Sequence, residues 1–265
     1  MNLNPIMLRA GVEILRIYAG NIAVTQKGDS SPVTEADARA EAIILAGLKE
    51  IAPDIPVVAE EEAAAGRIPA TARQFFLVDP LDGTKEFISK NGEFTVNIAL
   101  IEDGMPVLGA VYAPALGHLY WGGPDGAFMA DIKDSFPGLA RPIHVRAIPA
   151  HGLTAVGSRS HGGPETEAYL KAFTVAGFEP AGSSLKFCLI ARGDADIYPR
   201  MGRTMEWDTA AGDAVLRAAG GRVETLDGHP LAYGKRDQPG DTDFANPHFV
   251  AFGDPALKAR TGPDQ

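Results

Sequence analysis

The chain has 265 residues, 45% hydrophobic and 22% charged, enough to bury a large core in one big domain or two small ones. Its formal net charge of −10 and pI near 5.1 exclude a protein that grips nucleic acid by its phosphates, which needs a basic face. The same balance leaves room for a small phosphorylated ligand, because bound divalent cations reverse the local sign.

A single cysteine, Cys188, rules out an internal disulfide, and it reads as a small buried residue rather than a reactive thiol. Arg9, Glu13 and Arg16 interrupt the N-terminal apolar residues, against a signal-peptide core. No apolar run approaches the ~18 residues of a membrane helix. A cytoplasmic, enzyme-sized protein is expected, at most peripheral to the inner membrane.

Residues 4–26 place Met7, Ala10, Ile14 and Tyr18 on one helical stripe, which predicts an amphipathic first helix. Lys27 to Pro32 is a polar loop rich in turn formers. Thr34 and Asp37 stand in the spacing of a capping box, so a second helix is expected to begin there. Asp37 is on that reading a capping residue, with or without a further role. Pro56 to Ala59 reads as a short strand running into Glu60, Glu61 and Glu62. Three adjacent glutamates are ordinarily a solvated surface, but ligands of α/β folds gather where strands end.

The apolar run Phe75 to Val78 predicts a buried strand, and Asp79-Pro80-Leu81-Asp82-Gly83-Thr84 follows it as an acidic turn that opens a helix. From Phe94 to Met129 the pattern becomes β, with Asp103-Gly104 as a hairpin signal, and an antiparallel meander is expected. Pro137 to Arg146 reads as a crossover. Beyond it strands and helices alternate: a strand at 153–156, a helix at 164–175, the Gly182-Ser183-Ser184 loop before a helix at 185–191, and a strand at 195–198. A helix opened by Trp207-Asp208 and ended by Gly220-Gly221 follows, then strands near 222–225 and 248–252. The fold class is α/β, with an α+β part over 1–146 and an α/β part over 147–265.

Magnesium takes oxygen ligands, and a two-metal phosphatase needs a carboxylate that bridges ions roughly 3.5–4 Å apart with others on each flank. Asp79 and Asp82, held by a proline-stiffened turn, supply a bridge and a flank, and the Leu81 carbonyl between them is a further oxygen. Glu60 is placed to reach one ion and Asp208, at the start of a late helix, the other. Backbone N–H groups of Gly83 and Thr84 at a helix start favour a phosphate. Phosphatases with an aspartyl nucleophile need two aspartates two residues apart; here residue 80 is proline, and the spacing contradicts that mechanism.

These motifs resemble the inositol monophosphatase-like phosphatases, which are magnesium-dependent and lithium-sensitive. The residues that carry the likeness are Glu60-Glu61, Asp79 to Thr84 and Trp207 to Ala211, in the same order over nearly the whole chain. The longer strings Asp79 to Phe87, Asn91 to Leu100, Ser158 to His161 and Gly182 to Cys188 are similar to the bacterial 3′(2′),5′-bisphosphate nucleotidase branch. One departure is Ala59, where relatives have Gly or Ser.

The resemblance implies a layered α/β/α/β/α sandwich with the active site between its two parts, and two or three Mg2+ ions. Glu60, Asp79, Leu81, Asp82 and Asp208 would be the metal ligands, Asp37 and Thr84 the catalytic pair. Gly83, Thr84, Lys85, Ser160, Gly182, Ser183, Ser184, Lys186 and Asp208 would contact substrate. That substrate would be a small phosphorylated nucleotide, adenosine 3′,5′-bisphosphate, a by-product of sulfate assimilation. A broader sugar phosphatase acting on inositol phosphate or fructose 1,6-bisphosphate is the alternative, and a catalytically silent nucleotide sensor a remoter one. No nucleic acid or membrane partner is expected.

Overall fold

The computed structural model describes residues 1–22, 24–26, 32–158 and 163–258. In chain order the first part holds α1 (Asn4–Tyr18), β1 (Val24–Gln26), β2 (Pro32–Thr34), α2 (Glu35–Ile51), β3 (Val57–Ala59), α3 (Glu60–Ala64), β4 (Gln74–Asp82) and α4 (Thr84–Ile88). A meander follows as β5 (Thr95–Glu102), β6 (Met105–Ala113), β7 (His118–Gly123) and β8 (Gly126–Lys133), with short strands β9 (Phe136–Pro137) and β10 (Arg141–Ile143). The remainder is β11 (Leu153–Gly157), α5 (Pro164–Leu170), β12 (Val175–Pro180), α6 (Leu185–Ala191), β13 (Ile197–Arg200), α7 (Glu206–Ala218), β14 (Arg222–Thr225) and β15 (Phe249–Phe252).

Two sheets carry the molecule. The larger has the order β10-β8-β7-β6-β5-β4-β3, with β9 beside β8; the smaller runs β12-β11-β13-β15-β14. Strand β4 is apolar without alternation because both of its faces are covered. Phe76 and Val78 pack with Met7, Ile14, Ile44 and Leu48 of α1 and α2, while Phe75 and Leu77 join a core shared with α6, α7 and the inner face of the smaller sheet. A third cluster lies on the outer face of the smaller sheet, where Tyr169, Leu170 and Phe173 meet Ile197, Val250 and Phe252. The layers are therefore α1/α2, large sheet, α6/α7, small sheet and α5, in agreement with the expected α/β/α/β/α sandwich.

Helix α7 lies unusually close to the large sheet. A Cβ on Gly109 would sit 2.6 Å from the Ala211 carbonyl oxygen, and one on Gly122 would sit 2.7 Å from the Val215 Cα. Two glycines on neighbouring strands thus let the helix bearing Asp208 seat against the sheet bearing Asp79.

Several expectations need correcting. The first helix ends at Tyr18, and Val24–Gln26 pairs with Pro32–Thr34 as a small hairpin sheet. The acidic stretch is not a turn after β4 but its last residues, interrupted by a bulge: Asp79 pairs with Asn97 and Asp82 with Thr95, so three steps oppose two. Proline is tolerated at such a bulge because the ladder is already broken there. The supposed crossover from Pro137 includes the edge strands β9 and β10. The helix expected at 164–175 stops at Leu170, and Val175–Pro180 is a strand. That strand is at a sheet edge, where Gly177 and an exposed Phe178 hide its alternation.

Candidate active site

The site begins with α2. Thr34 has extended backbone and closes the expected capping box: its Oγ1 accepts from the Ala36 amide at 3.2 Å, and its own amide donates to Asp37 Oδ2 at 2.8 Å. Thr34 Oγ1 also donates to that oxygen at 2.7 Å. The other oxygen, Asp37 Oδ1, takes the hydroxyl of Thr84 at 3.3 Å. Asp37 thus caps the helix with one oxygen while the other meets Thr84. Burial pushes the Asp37 carboxyl above its ordinary value and the nearby Glu60 charge adds to this, while the Thr34 hydrogen bonds oppose it.

Thr84 is brought to Asp37 by the bulge in β4 and by Gly83, whose φ of 89° lies in the left-handed region where a side chain is strained. The Thr84 hydroxyl is also 3.3 Å from the Leu81 carbonyl oxygen, and the Leu81 amide donates to Asp79 Oδ1 at 3.0 Å. The bulge thus folds Asp79, Leu81 and Thr84 around one point.

Asp208 arrives from the other side, at the third position of α7, with its Oδ2 accepting the Met205 amide at 2.7 Å. Asp79, Asp82 and Asp208 each offer a carboxylate oxygen within 4.8 Å of the others. Burial pushes Asp79 well above its ordinary value, reinforced by the charges of Glu60, Asp82 and Asp208 and by a hydrogen bond with Glu60. Asp208 is likewise raised, first by burial and then by Asp82 and Glu60. Glu60 lies outside the trio of closest oxygens yet borders both Asp37 and Asp79. Hard oxygen donors that repel one another at the edge of a cavity fit magnesium or another hard divalent cation.

Asp82 is steadied by a buried polar network that the sequence reading missed. Its Oδ2 accepts from Ser183 Oγ at 2.5 Å, from the Ser184 amide at 2.8 Å and from Asn97 Nδ2 at 3.4 Å. Asn97 also donates to Ser184 Oγ at 3.1 Å, and Ser184 Oγ donates to the Asp208 carbonyl at 2.7 Å. Thr95 donates to Asn97 Oδ1 at 3.0 Å. Thr95 and Asn97 are fully buried. The signal was available: polar residues at alternate positions of an otherwise apolar strand, opposite the acidic one. The loop hydroxyls expected to face substrate thus engage metal-ligand candidates, and the Gly182 amide donates to Glu93 Oε2 at 2.9 Å.

A cavity of about 140 Å3 opens beside these carboxylates, lined by Lys85, Ser158, Ser183, Lys186, Arg200 and Asp208 among others. Lys186 is buried, donates to the Ser183 carbonyl at 2.6 Å and lies over the Tyr198 ring; burial lowers its ammonium to about 8. Arg200, also unforeseen, donates Nη2 to the Arg203 carbonyl at 3.2 Å, while its Nε is buried without a hydrogen-bond partner. Ser160 lies outside the described residues.

Glu41 is the remaining surprise. It sits one turn beyond Asp37 on α2, 4% exposed, and burial raises its carboxyl to about 7. No motif singled it out. Cys188 is fully buried, as expected, and burial pushes its thiol up. Among the described residues no helix is long and apolar enough to cross a membrane.

Residues 5–245 match the inositol monophosphatase family. The chain is 45% identical over 242 residues to the 3′(2′),5′-bisphosphate nucleotidase CysQ of Shigella flexneri, covering 91% of this chain and 94% of that protein. It is 46% identical to the enzyme of the same name from Salmonella typhimurium, with the same coverage. Among solved structures, CysQ from Bacteroides thetaiotaomicron superposes with a TM-score of 0.74 at 38% identity, covering 94% of each chain. The inositol monophosphatase of Thermotoga maritima shares the fold, with a TM-score of 0.72 at 22% identity, covering 94% of this chain and 90% of that one. The chain belongs to the inositol monophosphatase family.

Proposed function

We propose that the protein is a magnesium-dependent 3′(2′),5′-bisphosphate nucleotidase that hydrolyses adenosine 3′,5′-bisphosphate to AMP and phosphate. The observation that carries this reading is the meeting of Asp79, Asp82 and Asp208 within 4.8 Å, beside a Thr84 hydroxyl bonded to Asp37. The substrate is supported by the relatives named for that activity at 45% identity. Such an enzyme would remove a by-product of sulfate assimilation.

Glu60, Asp79, Asp82, Asp208 and the Leu81 carbonyl would hold Mg2+. When bound, the metal supplies positive charge that polarises the phosphoryl group and acidifies water. Thr84 and Asp37 do the protein's share. The water oxygen attacks phosphorus and the ester P–O bond breaks, the water proton passes to the Thr84 oxygen and the threonine's own proton to Asp37 Oδ1, and the leaving ribose oxygen takes its proton from solvent. A carboxyl raised by burial is suited to accept it. Gly83, Thr84 and Lys85 receive the scissile phosphate.

A bisphosphate substrate carries a second anion, and three cations line the cavity for it: Lys85, Lys186 and Arg200. The Arg200 guanidinium at the cavity wall is suited to pair with such an anion.

Phosphate release from adenosine 3′,5′-bisphosphate, inositol phosphate and fructose 1,6-bisphosphate, with magnesium and with EDTA, tests the reading. Hydrolysis should require magnesium, fall with lithium, and show the highest kcat/KM on the bisphosphonucleotide. Asp82→Asn should lose at least about a hundredfold in kcat. Full activity in EDTA sinks the metal mechanism, a preference for inositol phosphate sinks the substrate, and tight nucleotide binding without turnover would make the protein a sensor.

A further inference from the structure

Helix α3 is only five residues long, and its first residue is Glu60. Its N-cap, Ala59, has extended backbone (φ −118°, ψ 147°), the conformation in which a serine or aspartate side chain would accept the second and third amides of the helix. Alanine has no such oxygen. Those two amides belong to Glu61 and Glu62, and both are taken by Glu41 of α2: Glu61 N–H donates to Oε2 at 2.8 Å and Glu62 N–H to Oε1 at 3.0 Å. The carboxylate of a neighbouring helix thus stands where the cap should be. Glu41 and Asp37 are four residues apart and both are buried, so one turn of α2 grips Thr84 with the first carboxylate and the start of α3 with the second.

We propose that Glu41 is a positioning residue for the metal site, capping α3 from outside and thereby fixing the direction in which Glu60 leaves the end of β3. The inference rests on Glu60 being a metal ligand. A five-residue helix has little stability of its own. With its first turn unsatisfied it frays, and a carboxylate on its first residue loses the geometry a hard cation demands. Glutamine at position 41 keeps the size but turns one acceptor into a donor against an amide N–H.

The test measures magnesium binding to the metal-free protein by calorimetry and amide hydrogen exchange in EDTA. Glu41→Gln should weaken magnesium about tenfold and speed exchange at Glu61 and Glu62. Adding Ala59→Ser, which gives α3 a cap of its own, should restore both in the double variant. Glu60→Gln serves as the reference for losing the ligand. Wild-type magnesium affinity in Glu41→Gln, with Glu60→Gln weakened, overturns the inference and leaves the metal site standing. Wild-type affinity in Glu60→Gln overturns the assignment of Glu60 itself. Should Glu41→Gln fail to fold, the double variant decides alone: if it is stable and binds magnesium, capping is the role of Glu41, and if it is not, the inference fails.

Discussion

Asp37 and Asp208 stand at the third position of their helices, and each closes its own helix start with Oδ2. A residue that serves as both cap and site group is fixed by backbone rather than by a flexible chain, which is the rigidity a catalytic carboxylate needs. The capping pattern was legible at Thr34 and Asp37, and so were the acidic residues of the motif. Glu41 and Arg200 were not, because neither lies in a recognisable spacing and the amides that Glu41 holds are twenty and twenty-one residues away; Asn97 was overlooked although its alternation with Thr95 was there to be read. Lys186 yields a prediction with a sign. Burial lowers its ammonium to about 8, so the cation is complete below that pH and lost above it. KM for the bisphosphonucleotide should be flat up to pH 8 and rise beyond it, a limb absent from Lys186→Met. Stability moves the other way. A base depressed in the folded state gains stability as pH climbs from the folded value toward 10.5 and loses it again as pH falls. The wild type should therefore gain about 3 kcal/mol relative to Lys186→Met between pH 8 and 10.5, as read by denaturant melts.

Among the elements, β4 departs most from its sequence reading. The apolar run and the two aspartates were plain, but a bulge leaves no mark in composition; it appears only when the strand is laid against Thr95 and Asn97 of β5. Likewise, the late helix was expected at Asp208, but its depth against the sheet was not, since nothing local says that a glycine on β6 will face it. Gly109→Ala tests that seat. The new Cβ would meet the Ala211 carbonyl oxygen and Ala214 Cβ at 2.6 Å, both belonging to the helix rather than to a free side-chain end. The substitution should cost about 1–3 kcal/mol of stability and weaken magnesium binding as well, because the displaced helix carries Asp208. Loss of stability with unchanged magnesium affinity would show that α7 absorbs the strain away from its N-terminal turn.

For the whole molecule, the large sheet ends at Ile143 and the small one begins at Leu153. The alternation of elements gave the α/β class and the family resemblance the layer order, but the sharing of one core was legible in neither. Phe75 and Leu77 from the first part pack in the same cluster as Phe187, Val215 and Phe249 from the second. Calorimetry should accordingly show a single unfolding transition, and two resolved transitions would mean that the parts fold separately. The same architecture places carboxylates from both parts face to face, Asp79 and Asp82 from one and Asp208 from the other. In the metal-free protein that meeting is a repulsion across the seam, and a bound ion would act as a rivet that turns it into attachment. Function and endurance are therefore opposed at this spot. Asp79→Asn, which keeps an oxygen for the Leu81 amide, should raise Tm in EDTA above the wild type while abolishing both turnover and the protection that magnesium gives.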